Sequence, residues 1–499
     1  MSFLGLDVGT SGCKAVVFDR DGRPLACSFR DYAAVSPQPH WAELDSQKVG
    51  DACLEVIAEA ASQCPHDAVE GLAISSQGEA FTLLDAEGRL LANAMVSSDN
   101  RAIRQVHSCS LDAAWLYEKT GHTPHPIFSL YKLLWLREER PAIWEKTARI
   151  LCFEDYIHHR LGLDPAISFS LAARTMLFNV REECWDAEIL AACGLSANQL
   201  SRPLPPGAEV GRLSGENCRR LHLASGAIVV AGGHDQVCAA LGCGAVEPGI
   251  AALGSGTVEC IAATFSKPIL SPALRDANLC TYSHAAPGLF ATLAYNLSGG
   301  NVLRWFRDEW GGQEVGAAAA SGADVYDLLL ALMPENPTAL MVLPYFTGSG
   351  TPHFDNHTPA AILGLRLTTS RGEVLKAILE GLCFELKMNL RILESSGISV
   401  EELRITGGGA KTRRGIQIKA DVFNRPVRIP EVTEAGCLGA AMLACATKGN
   451  LDIQTLGARW VRCGEPISPD PGRARFYQER AALYEQTYFS LRTLSQKLF

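Results

Sequence analysis

Three glycine-rich turns, each entered from an apolar strand, carry the residues whose types and spacing suit chemistry. The first is Asp7-Val8-Gly9-Thr10-Ser11-Gly12-Cys13-Lys14. Gly9 and Gly12 permit tight backbone geometry, so that N–H groups converge on a phosphate, and Thr10 and Ser11 add hydroxyl donors. Asp7 ends an apolar strand, where a lone carboxylate is costly unless it holds an ion or a partner. A magnesium ion between Asp7 and nucleotide phosphates meets that need. The plain alternative is a hairpin whose Asp caps the turn. The second turn is Ile228-Val229-Val230-Ala231-Gly232-Gly233-His234-Asp235-Gln236, followed by the helical run Val237 to Leu241. Strand, glycine turn and helix put Asp235 at a helix N-terminus, presented into a cleft. There a carboxylate orients a phosphoryl-acceptor hydroxyl and takes its proton. The alternative is an ordinary Asp N-cap. His234 reads as structural, because the acceptor needs only one base. The third turn is Leu403-Arg404-Ile405-Thr406-Gly407-Gly408-Gly409-Ala410-Lys411-Thr412, with a helix to Asn424. Its three glycines let a flat ligand or a phosphate approach the backbone. Ala410 stands where a Walker A motif needs Gly, and no complete GxGxxG follows a strand. A common glycine-rich strand-to-helix turn is the competing reading.

The elements that must position these turns follow from periodicity. Phe3 to Asp7 and Cys13 to Asp19 are apolar strands, Asp21-Gly22 closes a hairpin, and Arg23 to Arg30 supplies a third strand. Ser46 to Cys64 has helical spacing, with Val49, Cys53, Val56, Ile57 and Ala60 on one face, and Ala68 to Ser75 returns as a strand. This β-β-β-α-β order is a mixed α/β layer fold. A weak internal repeat organises the whole. Leu6 to Gly12 is echoed by Ala252-Leu253-Gly254-Ser255-Gly256-Thr257, each an apolar strand entering a turn of Gly and hydroxyl residues. Two halves with matching phosphate-type turns imply a duplicated domain around a cleft. The breaker Glu247-Pro248-Gly249 divides residues 1–247 from 248–499. The helix-like run Arg473 to Leu498 is expected to pack back on the second half.

Composition bounds the function. The 499 residues exceed one ordinary core, and the 47% hydrophobic and 20% charged fractions are those of a soluble globular enzyme. A net charge of -9 without Lys/Arg clusters disfavours a nucleic-acid partner. No secretory signal opens the chain, no stretch is apolar enough to span a bilayer, and the 17 cysteines form no CxxC pair. They read as buried free thiols in a reducing cytoplasm.

With these motifs in order, the sequence resembles the FGGY carbohydrate kinases, of the actin/hexokinase/Hsp70-type ATPase superfamily, from Phe3 to about Ala446. Ile127-Phe128-Ser129-Leu130-Tyr131-Lys132-Leu133-Leu134-Trp135-Leu136 is similar to the family's first signature, departing at Ile127. Ala360 to Leu365 with Glu373 to Glu380 is similar to the second, and Ala173 to Asn179 to a run in glycerol kinases.

The resemblance implies two duplicated actin-like (ribonuclease H-like) domains closing over ATP, magnesium and a small sugar. It implies Asp235 as catalytic base, and Asp7 with Asp235 facing the metal. Thr10, Ser11, Gly12 and Lys14 match its first phosphate turn. Gly254, Ser255, Gly256 and Thr257 match the second, and Gly407, Gly408, Gly409, Ala410 and Lys411 the adenosine turn. In the sugar pocket, Gly78-Glu79 replaces the Met-His of xylulose kinases, while glycerol kinases have Arg-Glu. Ser97 replaces a Trp. Gln77, Glu79, Asp99, Arg101, Asp235 and Gln236 are the expected sugar-facing residues. The expected activity is phosphoryl transfer from MgATP to a ketopentose such as xylulose or ribulose. The alternatives are glycerol, erythritol, gluconate or a ketohexose. A regulatory protein that binds both ligands without transfer is the rival class, and the presence of Asp235 argues against it. Relatives of this kind form homodimers or homotetramers.

Overall fold

Two six-stranded mixed sheets organise the computed structural model, which describes residues 1–498. In the first, Ser2–Val8, Gly12–Asp19 and Pro24–Asp31 form an antiparallel meander. Val69–Ser76 joins Ser2–Val8 in parallel, Ile228–His234 follows in parallel, and Glu209–Arg212 closes the edge. In the second, Gly249–Ser255, Glu259–Phe265 and Phe290–Asn296 repeat the meander, with Val400–Thr406 and then Val427–Arg428 in parallel. The order third-second-first-fourth-fifth strand is the same in both, so the repeat glimpsed in the turns is a duplication of topology. Register carries it further. Val8 lies beside Ser76, and Gly254 lies beside Thr406. Each phosphate-type turn therefore adjoins the loop that follows its neighbouring parallel strand.

Alternation along Ser2–Val8 divides two faces. Leu4, Leu6 and Val8 pack with the helix Ser46–Ser62, whose N-terminus is capped by Asp45 accepting from Gln47 and Lys48 N–H. Phe3, Gly5 and Asp7 face the other way, toward the helix Ala435–Gly449, a segment from the far end of the sequence. That helix lies close enough that a Cβ on Gly5 would stand 1.8 Å from the Cys437 carbonyl oxygen. Likewise a Cβ on Gly439 would stand 2.0 Å from the Cys238 carbonyl oxygen, in the helix Asp235–Gly242. Small residues thus bring the backbones of a late helix, the first strand and the Asp235 helix into contact.

The second half is covered by the long helix Arg371–Ser395, started by a Ser370/Glu373 capping box, and by Arg413–Phe423. The terminal helix Pro471–Leu498 packs on this half as expected, with Tyr477 donating to Glu380 at 2.7 Å and Tyr488 to Asp355 at 3.0 Å. Among the described residues no disulfide forms and no helix is long and apolar enough to cross a membrane. Most cysteines are buried, but Cys27 and Cys184 are exposed, lying on an outer strand and a short hairpin.

Candidate active site

Asp235 is the first residue of its helix and His234 takes the N-cap position, with no side-chain capping bond. Asp235 is therefore not itself the N-cap residue. The strand leading to Asp235 breaks its ladder between Val230 and Gly233, where two residues oppose Ile74 alone. At this bulge a Cβ on Gly232 would meet the Ile74 carbonyl oxygen at 1.9 Å, so only glycine fits. The freed Gly232 N–H donates to buried Glu154 Oε1 at 2.7 Å, and Ser168 N–H donates to Glu154 Oε2 at 2.8 Å. The bulge aims Asp235 into the cleft, where 31% of its side chain is exposed. Burial first, then the charges of Asp7 and Glu79, push its pKa up to about 7, against a hydrogen bond from Gln236 Nε2 at 3.2 Å. A carboxyl poised there exchanges protons readily near neutral pH.

His234 touches this base, with Nε2 3.2 Å from Asp235 Oδ1 and Nδ1 3.0 Å from the hydroxyl of Tyr282, from the second half. Burial, Arg174 and His122 hold the imidazole well below its ordinary pKa.

Asp7 accepts from Ser75 Oγ at 2.6 Å. Burial raises its pKa, with Ser75 and Lys14 opposing and Glu434 adding to the rise. No cation among the described residues touches the carboxylate. The Gly9 N–H donates to the Gly12 carbonyl at 2.9 Å, and Tyr32 Oη and Gln77 Nε2 both donate to the Gly9 carbonyl. Thr10 and Ser11 are left exposed at the tip. Gln77 therefore shapes the phosphate turn, and its own Oε1 is buried without a partner. Lys14 donates to Glu434 at 2.7 Å.

Glu79 sits at φ 63°, and Ala80 N–H donates to the Gly78 carbonyl across it at 2.7 Å. Such a γ-turn is strained for a non-glycine residue and is a mark of functional loops. Ser129 Oγ, from the first signature, fixes it by donating to the Glu79 carbonyl at 2.9 Å. The Glu79 carboxylate pairs with Arg174, whose Nε donates to Oε1 at 2.5 Å. Burial opposes the Arg174 charge, but Glu79 outweighs it and raises the guanidinium pKa. Lys132, buried behind this pair, donates to the Val96 carbonyl at 2.8 Å, and burial lowers its pKa to about 8 despite Glu79 and Asp99.

Asp99 and Arg101, expected to face the sugar, close on each other. Asp99 is wholly buried; Arg101 Nε donates to both its oxygens at 2.9 Å, and Ala42 N–H donates to Oδ2 at 2.7 Å. Arg101 also donates to Glu43 and stacks 3.7 Å over the Trp41 ring. Both groups hold the loop through these contacts. Gln236 stays beside Asp235.

In the second half, Ser255, Gly256, Thr257, Gly408, Gly409 and Lys411 line a cavity of about 530 Å³. A Cβ on Gly409 would stand 2.0 Å from Ser255 Oγ, so the two turns stack only because it is glycine. Gly254, Gly407 and Ala410 belong to the same turns but do not line the cavity. Sequence reasoning missed the cavity's buried ion pair, Lys419 Nζ to Glu259 Oε1 at 2.5 Å, with Ser255 Oγ donating to the same oxygen at 2.7 Å. It also missed Tyr282, and gave Arg174 no role. Their partners lie 48 to 160 residues away, beyond any local signal.

A cleft carboxylate with a raised pKa, a glycine turn beside Asp7 and a cavity of about 530 Å³ between the second half's glycine turns suit a small-molecule phosphotransferase built on two actin-like halves. The model of the FGGY family of carbohydrate kinases, N-terminal domain, matches residues 2–242, and that of the C-terminal domain matches residues 251–447. The chain is 30% identical over 471 residues to a glycerol kinase of Citrifermentans bemidjiense, covering 92% of each. It is 27% identical over 488 residues to a gluconokinase of Bacillus licheniformis, covering 96% of this chain and 94% of that one. The crystal structure of a xylulose kinase from Rhodospirillum rubrum superposes with a TM-score of 0.90 at 25% identity, covering 99% of this chain and 100% of that one. The chain belongs to the FGGY family of carbohydrate kinases. It is a sugar kinase with ATP as co-substrate, and relatives with three different acceptors leave the sugar itself open.

Proposed function

We propose that the acceptor is a ketopentose such as xylulose or ribulose, and that Asp235 takes the proton from the hydroxyl that attacks ATP. The Glu79–Arg174 pair carries this reading. Both recorded contacts use Glu79 Oε1, so no donor among the described residues occupies Oε2, and Arg174 Nη1 has no acceptor. Together they offer an acceptor for a hydroxyl and a donor for an adjacent carbonyl oxygen, the pair a 2-ketose presents. A polyol lacks the carbonyl. An aldonate would set its carboxylate against Glu79, with Asp7 and Asp235 near.

In the transfer, the acceptor oxygen forms its bond to the γ-phosphorus as its proton passes to Asp235. The bond to the ADP oxygen breaks, and closure of the halves excludes water. Among the described residues no group of three or more His, Cys, Asp or Glu could hold a metal alone. Magnesium bound through one or two carboxylates plus water and phosphate oxygens needs no such group, and Asp7 with Asp235 fits it. When bound, the ion neutralises phosphate charge. The exposed Thr10–Ser11 and Gly256–Thr257 tips receive the phosphates, with the Gly9 and Gly256 N–H groups holding their own turns in shape, and the adenosine lies toward Gly408 and Gly409.

The test is ADP release with MgATP across pentuloses, polyols, aldonates and hexoses, with Asp235→Asn as control. A ketopentose should stimulate release in the wild type alone. Stimulation by gluconate or glycerol in its place would sink the ketopentose reading, and near-normal turnover by Asp235→Asn would sink the base.

A further inference from the structure

His234 is buried between the two halves, with Nδ1 hydrogen-bonded to the Tyr282 hydroxyl and Nε2 3.2 Å from Asp235 Oδ1. Its backbone N–H donates to Ser170 Oγ at 3.0 Å. When Asp235 is ionised it can only accept, and an imidazole proton on Nε2 then suits the 3.2 Å approach. Nδ1 is then the acceptor, and the Tyr282 hydroxyl donates to it. Tyr282 lies in the short strand Tyr282–Ser283, paired with Phe290–Asn296 at the edge of the second sheet. A residue of the second half thus fixes the tautomer of a residue that touches the base of the first.

Room for this arrangement comes from Gly78. A Cβ there would stand 3.0 Å from His234 Cδ2, 3.1 Å from Nε2 and 3.3 Å from Arg174 Cβ. The imidazole and the Arg174 stem lie against backbone where a longer residue would project. The absent side chain at position 78 and the histidine before the base are therefore one feature.

We propose that His234 is the positioning residue of the base: its Nε2–H holds Asp235 Oδ1 while Tyr282 occupies Nδ1, leaving Asp235 Oδ2 for the acceptor hydroxyl. The proposal rests on the reading of Asp235 as base. It also makes base orientation depend on contact between the halves, because Tyr282 comes with the second sheet. A neutral imidazole so placed acts through Asp235 and need not touch the sugar.

Three variants of the full chain test it, alongside Asp235→Asn. His234→Leu removes the donor, His234→Gln restores an N–H at similar reach, and Tyr282→Phe frees the tautomer while keeping the ring. Steady-state kinetics with MgATP and the best acceptor should show kcat lowered about 10- to 100-fold in His234→Leu and Tyr282→Phe, with both KM values within about threefold. His234→Gln should recover part of the loss. Nitrogen-15 spectra of the imidazole should show the proton on Nε2 in the wild type and a mixture of tautomers in Tyr282→Phe, whatever the sugar. Unchanged kcat in His234→Leu and Tyr282→Phe, with Asp235→Asn inactive, would overturn the positioning role and leave the base standing. So would a wild-type proton on Nδ1, or equal rises in both KM values without recovery in His234→Gln. An active Asp235→Asn would overturn the base, and this proposal with it.

Discussion

At the scale of single residues, charge decides what each carboxylate can do. Asp235, Asp7 and Glu79 converge on one cleft, and only Glu79 has a permanent cation against it. That difference ties Glu79 to Arg174, while Asp7 and Asp235 have no Lys or Arg in contact among the described residues. Glu79→Gln keeps shape and packing but removes the charge. It should raise the acceptor KM about 10- to 100-fold, from the loss of a charge-assisted hydrogen bond, and leave the ATP KM unchanged. Parallel rises in both constants would take Glu79 out of the sugar pocket. Asp235 stood out in sequence at the start of a helix after a glycine turn, but an N-cap has the same local pattern, and the base reading came from the motifs taken together and the family resemblance. The role of Asp99 was not legible, because its partner Arg101 stands two residues away and the same pattern suits a solvated loop, a ligand or an internal clasp. Burial by Trp41 and Trp135 selected the clasp.

At the scale of elements, the terminal helix shows how polar groups fasten an amphipathic segment. Tyr345 and Tyr484 both donate to Glu385 Oε1, and Oε2 is buried without a partner. Burial pushes the Glu385 pKa up to about 7, against those two hydrogen bonds. The folded chain therefore binds this proton more tightly than the unfolded chain. The contribution is full below the ordinary carboxylate range and is lost as pH rises through about 7. Glu385→Gln keeps an acceptor for the tyrosines and does not ionise. Its unfolding midpoint relative to wild type should rise between about pH 5 and pH 8, measured by thermal scans. A difference independent of pH would mean that Glu385 does not hold its proton in the fold. The helices themselves were visible as periodicity, and the run from Arg473 was expected on the second half. What periodicity did not say was that carboxylates on Arg371–Ser395 would receive its tyrosines.

At the scale of the whole molecule, the two halves are not two independent lengths of chain. The helix Ala435–Gly449, far beyond the breaker at Glu247-Pro248-Gly249, covers one face of the first sheet and packs on the helix that begins with Asp235. A chain of residues 1–247 would expose that apolar face. It should aggregate, or sediment as an oligomer, when expressed alone. A monomeric 1–247 chain with a cooperative unfolding transition would show that the late helix is dispensable. By itself the sequence determined the strands, the three glycine turns and the duplication, because each is written in neighbouring residues by period or backbone freedom. Tertiary structure alone decided which charges are paired and which remain open. Asp99 closed on Arg101, Glu79 kept one free oxygen beside Arg174, Lys419 met Glu259, and Tyr282 reached His234. Those outcomes depend on burial and on partners brought from distant segments. The field at a carboxylate is set by what lies within a few ångströms, and chain order does not encode that distance.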